Sequence, residues 1–139
     1  MKMTETDLVN WIIEAFEYDN NIAVWRQNTG AHVYENKQGK KRFVRFGTAG
    51  AADITGIVKS FRCPKCNCRC EGVRLEIECK VGKGKQTNHQ KEYQKNIEEF
   101  NGIYLLIYPE PNDPLYLRQR IEKIIYSLQC PKCSSNELE

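Results

Sequence analysis

Asp53, Glu78 and Lys80 are the residues on which chemistry can be built. Glu78 and Lys80 close the stretch VRLEIECK (73–80), where Val73, Leu75, Ile77 and Cys79 alternate with Arg74, Glu76, Glu78 and Lys80. That period of two predicts a strand with one apolar and one charged face. If DITGIV (53–58) and VRLEIECK form a hairpin, Asp53 at the start of one strand lies across from Glu78 and Lys80 at the end of the other. Two carboxylates that close repel unless a cation sits between them. Two carboxylate oxygens with waters suit a hard ion such as Mg²⁺ or Mn²⁺, and the backbone carbonyl of Cys79 can reach the same ion. A lysine two residues beyond the glutamate projects on the same face and can hold an anionic oxygen or an attacking water. Glu76 shares the charged face and is the alternative ligand. Glu78 is preferred because the lysine follows it at the right spacing, which leaves Glu76 as a cross-strand partner of a basic residue or a neighbour of the ligands.

The seven cysteines point to a second kind of metal chemistry. CPKC occurs twice, at Cys63/Cys66 and Cys130/Cys133, with Cys68 and Cys70 beside the first copy. One C-x-x-C is a weak sign, but two identical knuckles form the halves of a four-thiolate zinc site. Cys68 or Cys70 can stand in for one ligand. The competing reading is a frayed C-terminal tail with unliganded thiols. Disulfides fit poorly, because the count is odd and the N-terminus MKMTETDLVNWIIEAF has acids where an export signal needs basic residues. A thioredoxin-like role would need a strand-to-helix setting that neither knuckle has.

The elements that must position these residues can be read from periodicity. Thr4 or Thr6 caps a first helix with an apolar stripe of Leu8, Ile12, Ala15 and Phe16, and Glu5 falls on that stripe. IAVWRQN and RFVRFG read as strands separated by a polar loop at 36–39, and the small residues of GTAGAAD let backbones approach closely before Asp53. After the Cys-rich turn and its following strand, Thr87 or Asn88 caps a helix to Phe100 with Tyr93, Ile97 and Phe100 inward, Gln90 on the same stripe and Gly102 as the stop. IYLLIY suits a strand covered on both faces, parallel to VRLEIECK. Asp113 and Pro114 open a last helix with Leu117, Ile121, Ile124 and Leu128 inward. The expectation is a single α/β domain over residues 1–139, a sheet with a short meander and one crossover.

In that order TETDL, VWRQNTGA, VRFGTAGAADITGI, LEIECK and HQKEY resemble the VRR-NUC nucleases of the PD-(D/E)xK superfamily, over about residues 4–108. The resemblance implies a restriction-endonuclease-like core, a central mixed sheet flanked by helices, and a phage or prophage type of stand-alone endonuclease. Residue by residue it implies Asp53 and Glu78 as Mg²⁺ ligands, Lys80 as the catalytic lysine, Glu5 as the helix-one acid and Gln90 as the glutamine that follows. It further implies a homodimer acting on branched or structured DNA. The Cys-rich insertion at 62–71 departs from the short turn usual in the family and bears on which substrate fits.

Composition constrains the rest. A net charge of +3 is too small to argue nucleic-acid binding by itself, but Lys37, Lys40, Lys41, Arg42 and Arg45 crowd one stretch and Lys80, Lys83 and Lys85 another. No segment could span a bilayer, so the expectation is a soluble intracellular protein with no membrane partner. The rival class is a non-catalytic, zinc-stabilised nucleic-acid-binding module. It accounts for the cysteines and lysines but leaves Asp53, Glu78, Lys80, Glu5 and Gln90 without a purpose.

Overall fold

The computed structural model describes residues 3–27, 30–109 and 114–128. The chain runs α1 (Glu5–Ala15), β1 (Ile22–Arg26), β2 (Gly30–Glu35), β3 (Lys41–Phe46), β4 (Ile54–Arg62), β5 (Arg69–Cys79), α2 (Asn88–Glu99), β6 (Ile103–Ile107) and α3 (Pro114–Ser127). Four strands form a mixed sheet in the order β1-β4-β5-β6. The first three are antiparallel neighbours and β6 lies parallel to β5. A parallel neighbour cannot be reached by a tight turn, so α2 serves as the crossover.

The two faces of this sheet differ because β5 alternates. Leu75, Ile77 and Cys79 face the core with Ile54, Val58, Ile103, Leu105 and Ile107, under Leu8, Val9, Ile12 and Phe16 of α1 and its C-cap, and Leu117, Ile121 and Ile125 of α3. Truncating one such side chain to alanine costs about 2–5 kcal/mol. Arg118 fastens α3 to the end of α1, bonding Asp19 at 2.6 Å and lying over the Phe16 ring. The other face carries Glu76 and Glu78 and is covered in part by α2. Trp25 and Ile57, towards β1, remain about half exposed.

Several expectations need correcting. No residue of α2 is buried, and Phe100 is 87% exposed. The helix lies over a charged face, so its inward positions are polar, and Phe100 sits at its C-cap. A strand was missed at Gly30–Glu35. It pairs with β3 in a separate two-stranded hairpin, and its own sequence, GAHVYE, has little β signal. On α3 Ile124 and Leu128 pack against the core as expected, but the fully buried residue of that turn is Ile125, and β6 is covered less completely than expected, with Leu106 36% exposed. The insertion at 62–71 is flanked by paired strand, Ser60, Phe61 and Arg62 pairing with Glu71, Cys70 and Arg69, so its turn proper narrows to 63–68.

Candidate active site

The register of β4 and β5 places the two acids together. Ile54 pairs with Ile77, so Asp53, one residue before β4, comes opposite Glu78. Asp53 Oδ2 accepts the backbone N–H of Cys79 at 2.9 Å, which fixes its carboxylate against the end of β5. Lys80 follows on the same side as Glu78. Its backbone N–H donates to the Ile107 carbonyl at 3.0 Å, so the residue stays locked to the sheet although β5 has ended. The Lys80 ammonium lies 3.7 Å from Glu78 Oε1 and 3.9 Å from Glu5 Oε1. It is nine-tenths buried.

Gln90 enters from α2. Thr87 caps that helix, its hydroxyl accepting from the Gln90 N–H, and Gln90 Oε1 returns to the Thr87 N–H at 2.8 Å. With its oxygen committed to the cap, the Gln90 amide can only point its NH₂ outward, and Nε2 donates to Glu78 Oε1 at 3.0 Å. Close approach of α2 depends on Gly50. A Cβ there would come within 2.3 Å of the His89 carbonyl, and its φ of +77° lies in the left-handed region. This is the close backbone approach expected of GTAGAAD.

Glu78 is 3% exposed, and burial first, then the charge of Asp53, push its carboxyl up to about 8, against the pull of Lys80. Its Oε2 is buried without a hydrogen-bond partner. Two acids facing each other with an orphaned oxygen are costly unless a cation or a proton joins them. Among the described residues no three His, Cys, Asp or Glu side chains converge on one point. A donor set of two carboxylates, a carbonyl and water is nonetheless what Mg²⁺ commonly takes, since it keeps most of its waters. The residues present therefore fit a hard divalent ion.

The five expected residues are thus brought together. Glu5 arrives by a different route than expected, for its side chain is about half exposed at the first turn of α1 and avoids the cost of burial. The Cys79 thiol lies in the core, where burial raises its pKa. His89 is a surface residue, and Arg26 bonds Asn10 of α1. Asn28 and Thr29, which with Arg26 in WRQNTG could touch phosphate on the sequence reading, lie outside the described residues.

What went unread is the layer behind Glu78. Glu76 is fully buried, bonds the Tyr93 hydroxyl and lies 3.3 Å from Arg74, a partner on its own strand instead of across the sheet. Gln86 reaches Gln94 and the Tyr104 hydroxyl. The signal was available in the spacing of Gln90, Tyr93, Gln94 and Ile97, a polar helical face suited to a charged strand.

At the opposite end of the sheet, the turn at 63–68 folds on itself. Cys63 is buried, its N–H donates to the Cys68 carbonyl, and its own carbonyl accepts from Asn67, which adopts φ +60°. The N–H of Cys68 donates to Cys66 Sγ at 3.4 Å. Cys130 and Cys133 lie outside the described residues.

No protein-family model matches the chain, and no curated protein matches it.

Proposed function

We propose that this chain is a metal-dependent DNA endonuclease of the VRR-NUC type with a PD-(D/E)xK core. The observation that carries the reading is the buried Oε2 of Glu78, without a hydrogen-bond partner on a carboxylate opposite Asp53, with the Lys80 ammonium 3.7 Å from its other oxygen. Asp53, Glu78 and the Cys79 carbonyl would hold Mg²⁺ or Mn²⁺. Bound there, the ion supplies Lewis-acid polarisation of a phosphodiester and a lower pKa for water. Lys80, tethered by Glu78 and Glu5, sets a positive charge where a phosphodiester gains negative charge on attack. Gln90 fixes the orientation of Glu78. Action on branched DNA as a homodimer follows from the resemblance alone. The test is incubation of purified protein with Mg²⁺ and single-stranded, duplex, flap and four-way DNA. Cleavage that a chelator abolishes is expected, whereas binding without cleavage in either Mg²⁺ or Mn²⁺ would replace this reading with the non-catalytic module.

The cysteines are assigned a structural Zn²⁺ held by Cys63, Cys66, Cys130 and Cys133. The end of α3 supports the pairing of the two knuckles. Asn21 donates both to the Tyr126 hydroxyl and to the Ser60 carbonyl, each at 2.8 Å, so α3 finishes beside the strand that leads into Cys63. Cys130 follows Leu128, the last described residue of that segment, by two positions, and two residues reach about 7 Å.

A further inference from the structure

The β2–β3 hairpin belongs to neither layer of the fold, since its strands pair with each other and with no strand of the main sheet. Lys37, Lys40, Lys41, Arg42 and Arg45 against Glu35 give residues 30–46 a formal charge of +4, more than the +3 of the whole chain. Everything outside the hairpin is therefore slightly acidic. The active site carries Glu5 and Glu78 on either side of Lys80 and Asp53 opposite Glu78, and would repel a polyanion unless another part of the chain attracted it.

The arm is well formed at its tip. Asn36 N–H donates to the Lys40 carbonyl and Gly39 N–H to the Asn36 carbonyl, both at 3.0 Å, while Asn36 Oδ1 accepts from the N–H groups of Gln38 and Lys40. Gly39, at φ +79°, supplies the left-handed step the turn needs. Lys37, Lys40, Lys41 and Arg42 are exposed, and the last three line one shallow groove with Glu35 and Asn36. Six residue pairs at about 3.4 Å each make an arm of about 20 Å.

Both roots of the arm attach at the active site. Gln27, three residues before Gly30, donates its backbone N–H to the Asp53 carbonyl at 2.9 Å. Three residues span at most about 11 Å, so β2 begins close to the paired acids. On the other side Gly50, four residues after Phe46, lies against His89 and Gln90.

We propose that this hairpin is an arm that grips the phosphodiester backbone of duplex DNA beside the bond presented to Asp53 and Glu78, an inference that rests on the nuclease reading for its location but not for its chemistry. Duplex DNA carries a charge about every 1.7 Å along its axis, and each phosphate neutralised by a lysine or arginine releases counterions, which makes affinity depend steeply on salt.

The experiment compares two triple variants of equal charge loss, Lys37→Gln/Lys40→Gln/Lys41→Gln in the hairpin and Lys59→Gln/Lys95→Gln/Lys123→Gln elsewhere, all at exposed positions. Duplex DNA binding is titrated against NaCl with Ca²⁺ in place of Mg²⁺, so that affinity is read apart from cleavage. The hairpin variant is expected to weaken binding at least tenfold at moderate salt and to flatten the slope of log K against log salt by about 2–3, whereas the control changes the slope by less than about one. Equal effects of the two variants would overturn the proposal, as would loss of RNA binding with duplex DNA binding unchanged. A protein that binds DNA through the hairpin yet cleaves none would sink the nuclease reading and leave this inference standing.

Discussion

Gln90 donates its side-chain amide to Glu78 Oε1 at 3.0 Å while the oxygen of the same amide closes the cap of its own helix at Thr87. One side chain thus joins the start of the crossover helix to the acid of the paired strand. Replacing Gln90 with alanine removes both bonds. It should lower Mg²⁺-dependent cleavage by about 10–100-fold, the usual cost of losing a group that orients a ligand. Gln90→Glu should do worse, because it sets a third carboxylate against Glu78. Single-turnover rates across a Mg²⁺ series would check this, and wild-type rates for Gln90→Glu would show that Gln90 does not orient Glu78.

Gly50 tests the same helix without touching any proposed ligand. Alanine there meets both a positive φ and the His89 carbonyl, so α2 must move and carry Gln90 with it. The Gly50→Ala variant should be less stable by more than about 1 kcal/mol, as expected for a side chain forced into the left-handed region. Its cleavage should fall as well. A crystal structure showing α2 unmoved would contradict the reading.

The pH dependence follows from Glu78. Its carboxyl is raised to about 8 by burial and by Asp53, whereas in the unfolded chain it titrates near 4.5. Between those values the metal-free folded protein holds a proton that the unfolded chain has released, so this group makes stability fall as pH rises through the interval. A divalent ion competes with that proton. Thermal unfolding with and without Ca²⁺ should therefore show a stabilisation that grows from pH 6 to pH 9, and an increment independent of pH would remove Glu78 from the ion site.

Zinc should be separable from catalysis. Metal analysis of protein purified under reducing conditions without chelator should find about one zinc per chain, as a closed four-ligand site requires. Cys130→Ser with Cys133→Ser should release it and lower the melting temperature while Mg²⁺-dependent cleavage at low temperature persists. Finding no zinc in the wild-type protein would end this assignment.

The strand β5, the parallel β6 and the capped α2 were legible because each rests on a local pattern, alternation for β5, an unbroken apolar run after a crossover for β6 and Thr87 for the helix. The pairing of Asp53 with Glu78 was legible for the same reason, since an antiparallel register follows once the two strands are recognised. The stripe of α2 holds for Gln90 and Tyr93, which reach Glu78 and Glu76, and fails at Phe100, because at the C-cap the apolar rule points at a residue that leaves the sheet. The strand β2 was missed because it exists through pairing with β3, a non-local fact. Glu76 required knowing that Tyr93 comes down on it.

The measurement closest to the central claim is the cleavage rate of Asp53→Asn on the preferred DNA in Mg²⁺, alongside its DNA affinity in Ca²⁺. Asparagine is nearly the same size and can still accept the Cys79 N–H, so the sheet end should keep its shape while the charge proposed to hold the ion is lost. The account predicts a folded protein with DNA affinity unchanged or tighter, because one negative charge near phosphate is gone, and cleavage reduced by at least about a thousandfold, an effect of the size expected when ion chemistry is lost. Cleavage at the wild-type rate by repurified Asp53→Asn would contradict it.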